Sequence, residues 1–125
     1  MSPAALKPLP PLRLYGQDLR VRNGLIDDRE RQRCAKCGRA NHPQGFSRHH
    51  RKFRSRRGGD EVSNGVLLCG SGTTGCHGWA HANPIEARRL GFAVWSHENP
   101  RDVAVSHAIH GRIKLDDFGG WTEAS

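Results

Sequence analysis

All four cysteines of this 125-residue chain, and five of its eight histidines, fall between Cys34 and His81. Cys34 and Cys37 form a C-x2-C knuckle, and Cys69 and Cys76 make a wider second pair. His49 and His50 lie between the two pairs, and His77-x3-His81 follows Cys76 directly. Two thiol pairs separated in sequence can close the tetrahedral shell that zinc takes in structural sites, which leaves no open position for a substrate. Histidines suit the other kind of centre. A pair at i and i+4 stacks on one helix face, and His49 or His50 can supply a third nitrogen while leaving positions for water. The order of ligands therefore predicts a structural Zn2+ on Cys34, Cys37, Cys69 and Cys76, beside a working divalent ion on histidine.

The length allows one compact domain. With 35% hydrophobic residues and a mean hydropathy of -0.71, the chain has little apolar side chain to bury. Small cores of this kind usually depend on a staple. Zinc held by such ligands supplies about 10–16 kcal/mol, comparable with a typical net stability of about 5–15 kcal/mol. No run approaches the roughly 20 apolar residues of a membrane span, and the opening MSPAALKPLPPL has neither the apolar stretch nor the cleavage site of a signal peptide. A cytoplasmic location is expected, where paired cysteines are metal ligands more often than disulfides. Twenty Lys+Arg against 12 Asp+Glu leave a net charge of +8, which favours a polyanionic partner. Arg48, Arg51, Lys52, Arg54, Arg56 and Arg57 crowd around the adjacent histidines.

Along the chain, the proline-rich residues 1–12 read as a disordered or loosely docked arm and residues 13–125 as the domain, with its core over 34–82 and a peripheral helix and strands over 83–118. The 18–32 segment suggests a helix, which Asn23-Gly24 argues against being continuous, since glycine costs about 1 kcal/mol in a helix interior. Residues 46–50 and 66–68 read as strands, the basic 51–60 segment as a flexible loop, and 77–81 as a short helix. Asn83-Pro84 starts another helix that Gly91 ends. Short strands are expected over 92–95, 103–105 and 112–115, with a frayed tail. His42, His97, His107 and His110 read as surface histidines, and Trp79, Trp95 and Trp121 as packing residues.

The sequence His49-His50, then Asn64 before Val66-Leu67-Leu68-Cys69, then Cys76-His77 resembles the HNH endonucleases. The string NGVLLCGSGTTGCHGWAHANPIEARRLGF is similar to small HNH proteins of actinobacterial phages and prophages, and the likeness extends through Leu115-Asp116-Asp117. The resemblance implies an α+β fold: a ββα-metal finger stapled by the four-cysteine zinc site. It implies a metal-dependent DNA endonuclease that nicks or cuts both strands, with His50 as general base and Asn64 holding that base in place. His49, His77 and His81 would ligate one catalytic ion, which could be Mg2+, Mn2+, Ni2+ or Zn2+. Double-stranded DNA is the implied partner, with Arg51, Arg54, Arg56 and Arg57 on its phosphates, and phage terminase or portal a further one by analogy, in the host cytoplasm if the chain is phage-encoded.

Two features depart from the family pattern. Cys69 and Cys76 are farther apart than in a second C-x2-C knuckle, so Cys76 has to return through the glycine-rich loop or hold its ion less tightly. The first pair is His-His where Asp-His is usual, which shifts preference from magnesium toward zinc, nickel or manganese. The competing readings are a zinc-stabilised DNA-binding regulator without cleavage and an RNA-binding zinc ribbon.

Overall fold

The computed structural model describes residues 9–125. Helix α1 (Gly16–Arg29) precedes strand β1 (Phe46–His50), strand β2 (Gly65–Cys69), helix α2 (Gly75–Ala82) and helix α3 (Pro84–Leu90). Strands β3 (Val105–His107), β4 (Gly111–Leu115) and β5 (Trp121–Glu123) complete a mixed α+β architecture. The sheets are small: β1 pairs antiparallel with β2, and β3, β4 and β5 form an antiparallel meander. No helix among the described residues is long and apolar enough to cross a membrane.

Strand β2 is the centre of the core. Its five residues are all buried, and Val66, Leu68 and Cys69 pack with Cys34, Ala80, Ala87, Phe92, Val105, Ile113 and Leu115. The register sets His49 opposite Val66 and His50 opposite Gly65. Neighbouring residues of a strand point to opposite faces, so the adjacent histidines are committed to different surroundings.

Helix α1 runs unbroken through Asn23-Gly24, where the sequence suggested a break. Its buried stripe is Arg22, Ile26 and Arg29, at helical spacing but mostly arginine. Ile26 packs with Val62 and Leu67. Arg29 donates to the Val62 and Gly65 carbonyls and pairs with Glu30, and Arg22 Nε donates to Asp60 O at 3.2 Å. These tertiary bonds offset the roughly 1 kcal/mol that glycine costs.

Of the arm expected over 1–12, residues 1–8 lie outside the described residues. Residues 9–12 are held rather than free: Arg57 donates to Leu9 O, and Leu12 O accepts from Asp60 N–H. Segment 92–95 is irregular chain and not a strand, buried over Phe92, Ala93 and Val94 and half-buried at Trp95, with Val94 N–H donating to Arg51 O. The strand expected over 103–105 starts two residues later, at Val105. The tail is ordered by pairing of β5 with β4 and by Trp121, whose ring stacks 3.8 Å from that of His110. His107 is no surface residue: it is 4% exposed, its Nε2 donates to Glu30 at 2.7 Å, and its Nδ1 accepts from Ile109 N–H.

The glycine-rich turn between β2 and α2 answers the question of how Cys76 returns. Gly70 and Gly75 have φ of +88° and +61°. A Cβ on Gly70 would sit 2.2 Å from Thr74 O, and one on Gly75 would sit 2.5 Å from Cys69 O. Ser71 N–H and the Thr74 hydroxyl close the turn at 2.9 Å. Alanine at position 75 would be strained in this left-handed conformation, and its Cβ would press on the Cys69 carbonyl and push the Cys76 backbone away from Cys69. Gly75→Ala is expected to lower stability by about 1–3 kcal/mol and to speed metal release to a chelator. An unchanged urea midpoint and release rate would show that the turn is not this tightly constrained.

Candidate metal centres

The four cysteine sulfurs come from the 34–38 turn, the end of β2 and the first turn of α2, and lie within 4.8 Å of one another. Cys37 Sγ and Cys69 Sγ are 3.8 Å apart. That is about the edge of a tetrahedron with 2.3 Å zinc–sulfur bonds, and far beyond the roughly 2.05 Å of a disulfide. Cys76 N–H points at Cys69 Sγ at 3.4 Å. Burial pushes the Cys34 thiol up, but backbone N–H groups of Cys37, Cys69 and Lys36 outweigh it and hold the thiol below its ordinary value. Cys76 is pushed strongly upward, by burial first and then by its thiol neighbours. Cys34 and Cys69 are buried, Cys76 half-buried and Cys37 exposed; thiolates packed this closely need a compensating cation, and this set can hold a structural metal such as zinc.

A second group brings His49 from β1 together with His77 and His81 from α2, their ligand atoms again within 4.8 Å. His77 Nε2 and His81 Nε2 are 3.0 Å apart. Two nitrogens bound to one ion at about 2.0–2.1 Å lie roughly 2.9–3.4 Å apart for right-angle to tetrahedral geometry. His49 Nε2 is 2.7 Å from Phe92 O. A carbonyl can only accept, so Nε2 carries the proton and Nδ1 keeps its lone pair, the backbone support usual for a metal-binding imidazole. Burial pushes His49 down to about 3, and burial followed by the neighbouring His81 pushes His77 down to about 4. Both rings are uncharged at neutral pH, as ligands must be. His77 Nδ1 is buried without a hydrogen-bond partner among the described residues. Phe53 walls the group, stacked on His81 at 5.0 Å.

His50 stands apart from this cluster. Its Nε2 lies 2.8 Å from Asp60 Oδ1, and the other Asp60 oxygen accepts Leu14 N–H at 3.0 Å. Burial pulls His50 below the ordinary histidine value against the opposing carboxylate. Burial pushes Asp60 up, but hydrogen bonds from His50 and Leu14 win and hold it below the usual range. Asn64, wholly buried, accepts Lys52 N–H at 2.7 Å and donates to Lys52 O and Gly59 O, tying together both ends of the 52–59 loop. Asp60 carries no spacing signal in the sequence; only its tertiary position reveals it.

His49, His50, His77 and His81 share a cavity of about 340 Å³ with Phe53 and Arg54. A larger cavity of about 460 Å³, lined by residues such as Lys52, Glu61, Arg101 and Asp117, holds mixed charge and none of the clustered histidine ligand atoms, which line the smaller one. The four arginines assigned to phosphate divide. Arg51 is corrected outright: it is 0% exposed and donates to the carbonyls of Gly91, Ser63, Pro100 and Val103, so it braces the core. Arg56 lies over the Phe53 and Trp95 rings, Arg57 holds Leu9 O, and Arg54 lines the histidine cavity. Comparison with family models, curated proteins and solved structures returned no significant match for this chain.

The depressed histidines make a pH prediction. Their folded values lie below the ordinary 6.5, so below pH 6.5 the unfolded chain takes up more protons than the folded one. The stability of the neutral rings is fully present above that pH and declines as pH falls toward about 4. His49→Gln is expected to lose less stability than the wild type between pH 7 and pH 5, by on the order of 1–2 kcal/mol, read from urea titrations at each pH. Parallel pH dependence in the two proteins would contradict the burial of a neutral His49.

Proposed function

We propose that the protein is a metal-dependent DNA endonuclease of the HNH type, hydrolysing phosphodiester bonds on a ββα-metal finger stapled by zinc. The observation that carries this reading is the shared cavity, in which a three-imidazole cluster opens beside a fourth imidazole held by a carboxylate. A simple zinc-stabilised binding module has no use for that second arrangement.

A divalent ion on His49, His77 and His81 would act as a Lewis acid on the phosphate and the leaving oxygen, and three neutral nitrogens favour zinc, nickel or manganese over magnesium. The Asp60 carboxylate accepts the Nε2–H of His50, which fixes the tautomer and presents Nδ1 as the base that takes a proton from the attacking water. A histidine held below its ordinary value stays unprotonated at neutral pH. Asn64 keeps the loop that follows His50 closed, and with it the distance from Asp60 to the imidazole. Arg54 supplies positive charge for the incoming phosphate.

Supercoiled plasmid incubated with the protein and each divalent ion tests the reading. The wild type is expected to nick in a metal-dependent manner. His50→Ala should cut about 10²–10⁴-fold more slowly while still binding DNA, and Asp60→Asn should fall between the two. If wild type and His50→Ala bind DNA alike and neither cuts with any ion, the regulator reading replaces this one.

A further inference from the structure

A second cavity, of about 330 Å³, adjoins the histidine cavity and shares Arg48, His50 and Arg54 with it. Apart from Asp60, its remaining walls come from outside the 34–82 core, among them Arg13 and Tyr15 from the segment entering α1 and Arg22 from the helix. Four arginines thus line it against a single carboxylate, Asp60, whose oxygens are taken by His50 and Leu14 N–H. Arg48 is neutralised by Asp27. Arg13, Arg22 and Arg54 have no ion-pair partner among the described residues. Arg22 is the telling one: it is 4% exposed, and its Nη2 has no hydrogen-bond partner among the described residues.

Of the three, Arg22 is buried, Arg13 half-buried and Arg54 exposed; the carboxylate that acts most on Arg22, Asp60, is already held by His50 and the Leu14 N–H, so an anion in the hollow would meet three guanidinium groups that no carboxylate pairs at contact distance. Guanidinium groups match phosphate oxygens in geometry and charge. His50 forms a wall common to both cavities, so an anion here lies next to the group expected to activate water. Tyr15, 77% exposed at this wall, offers a ring face to a sugar or base. We propose that this cavity seats the DNA phosphate adjacent to the scissile one, through Arg13, Arg22 and Arg54. The proposal rests on the nuclease reading for which phosphate is seated, and it assigns to the N-terminal segment and α1 a share of the DNA contact that the sequence placed wholly in the 51–57 run.

The test is binding of a labelled DNA duplex across a series of salt concentrations, without added divalent ion so that nothing is cut. The proteins are wild type, Arg13→Ala, Arg54→Ala, the double variant, and Arg112→Ala, which lies outside both cavities; circular dichroism checks that each is folded. Each single cavity variant is expected to weaken binding and to lower the slope of log affinity against log salt by about 1, and the double by about 2. Arg112→Ala should match the wild type. Cavity variants with wild-type affinity and slope overturn the proposal. If plasmid cleavage by the wild type persists in that case, the nuclease reading survives alone; if the arginines govern binding but no ion supports cleavage, the phosphate site stands and the nuclease reading falls. A wild type that binds no DNA overturns both.

Discussion

Four cysteine sulfurs meet where three segments cross: the 34–38 turn, the end of β2 and the first turn of α2. Cys34 and Cys69 belong to the main core cluster, Cys76 packs against it, and Cys37 closes the group from the exposed side. Without a cation this site concentrates thiols that burial and mutual repulsion keep from ionising together. A metal held by the four sulfurs would tie the hairpin to the helix. The histidine cluster follows directly from this crossing, because α2 leaves Cys76 and within two turns presents His77 and His81 to His49 on β1.

Strand geometry then separates two neighbours. His49 faces the α2 imidazoles, fixed by the Phe92 carbonyl, while His50 turns to Asp60. The frame around them is held as much by buried polar groups as by apolar ones. Arg51 gathers four carbonyls from three separate stretches of chain. Glu30 receives His107 and the Leu67 N–H, and burial pushes its carboxyl up less than His107 and Arg29 pull it down. Saturated buried networks of this type specify one arrangement, since a lost partner leaves an expensive unpaired group.

The cysteine pairs, the i, i+4 histidines, the hairpin strands and the Pro84–Leu90 helix were legible because each rests on local spacing or local turn chemistry. What escaped the sequence has a common physical cause. Arg22 and Arg29 form the buried stripe of α1, so apolar periodicity had nothing to detect. Arg51 stands in a run of exposed basic residues and differs from them only in what the fold wraps around it. Asp60 reaches His50 across the loop that Asn64 closes, and His107 meets Glu30 across most of the chain; neither pairing leaves a trace in spacing. The cavity beside α1 was invisible for the same reason, since its arginines converge only after the helix has packed.

The central claim, that four sulfurs hold one zinc and free the histidines for a second ion, is tested most directly by zinc-edge X-ray absorption on protein carrying one equivalent of the metal. The account predicts a first shell of four sulfurs at about 2.3 Å with no nitrogen scatterer. A mixed sulfur–nitrogen shell, or zinc bound only through nitrogen, would contradict it.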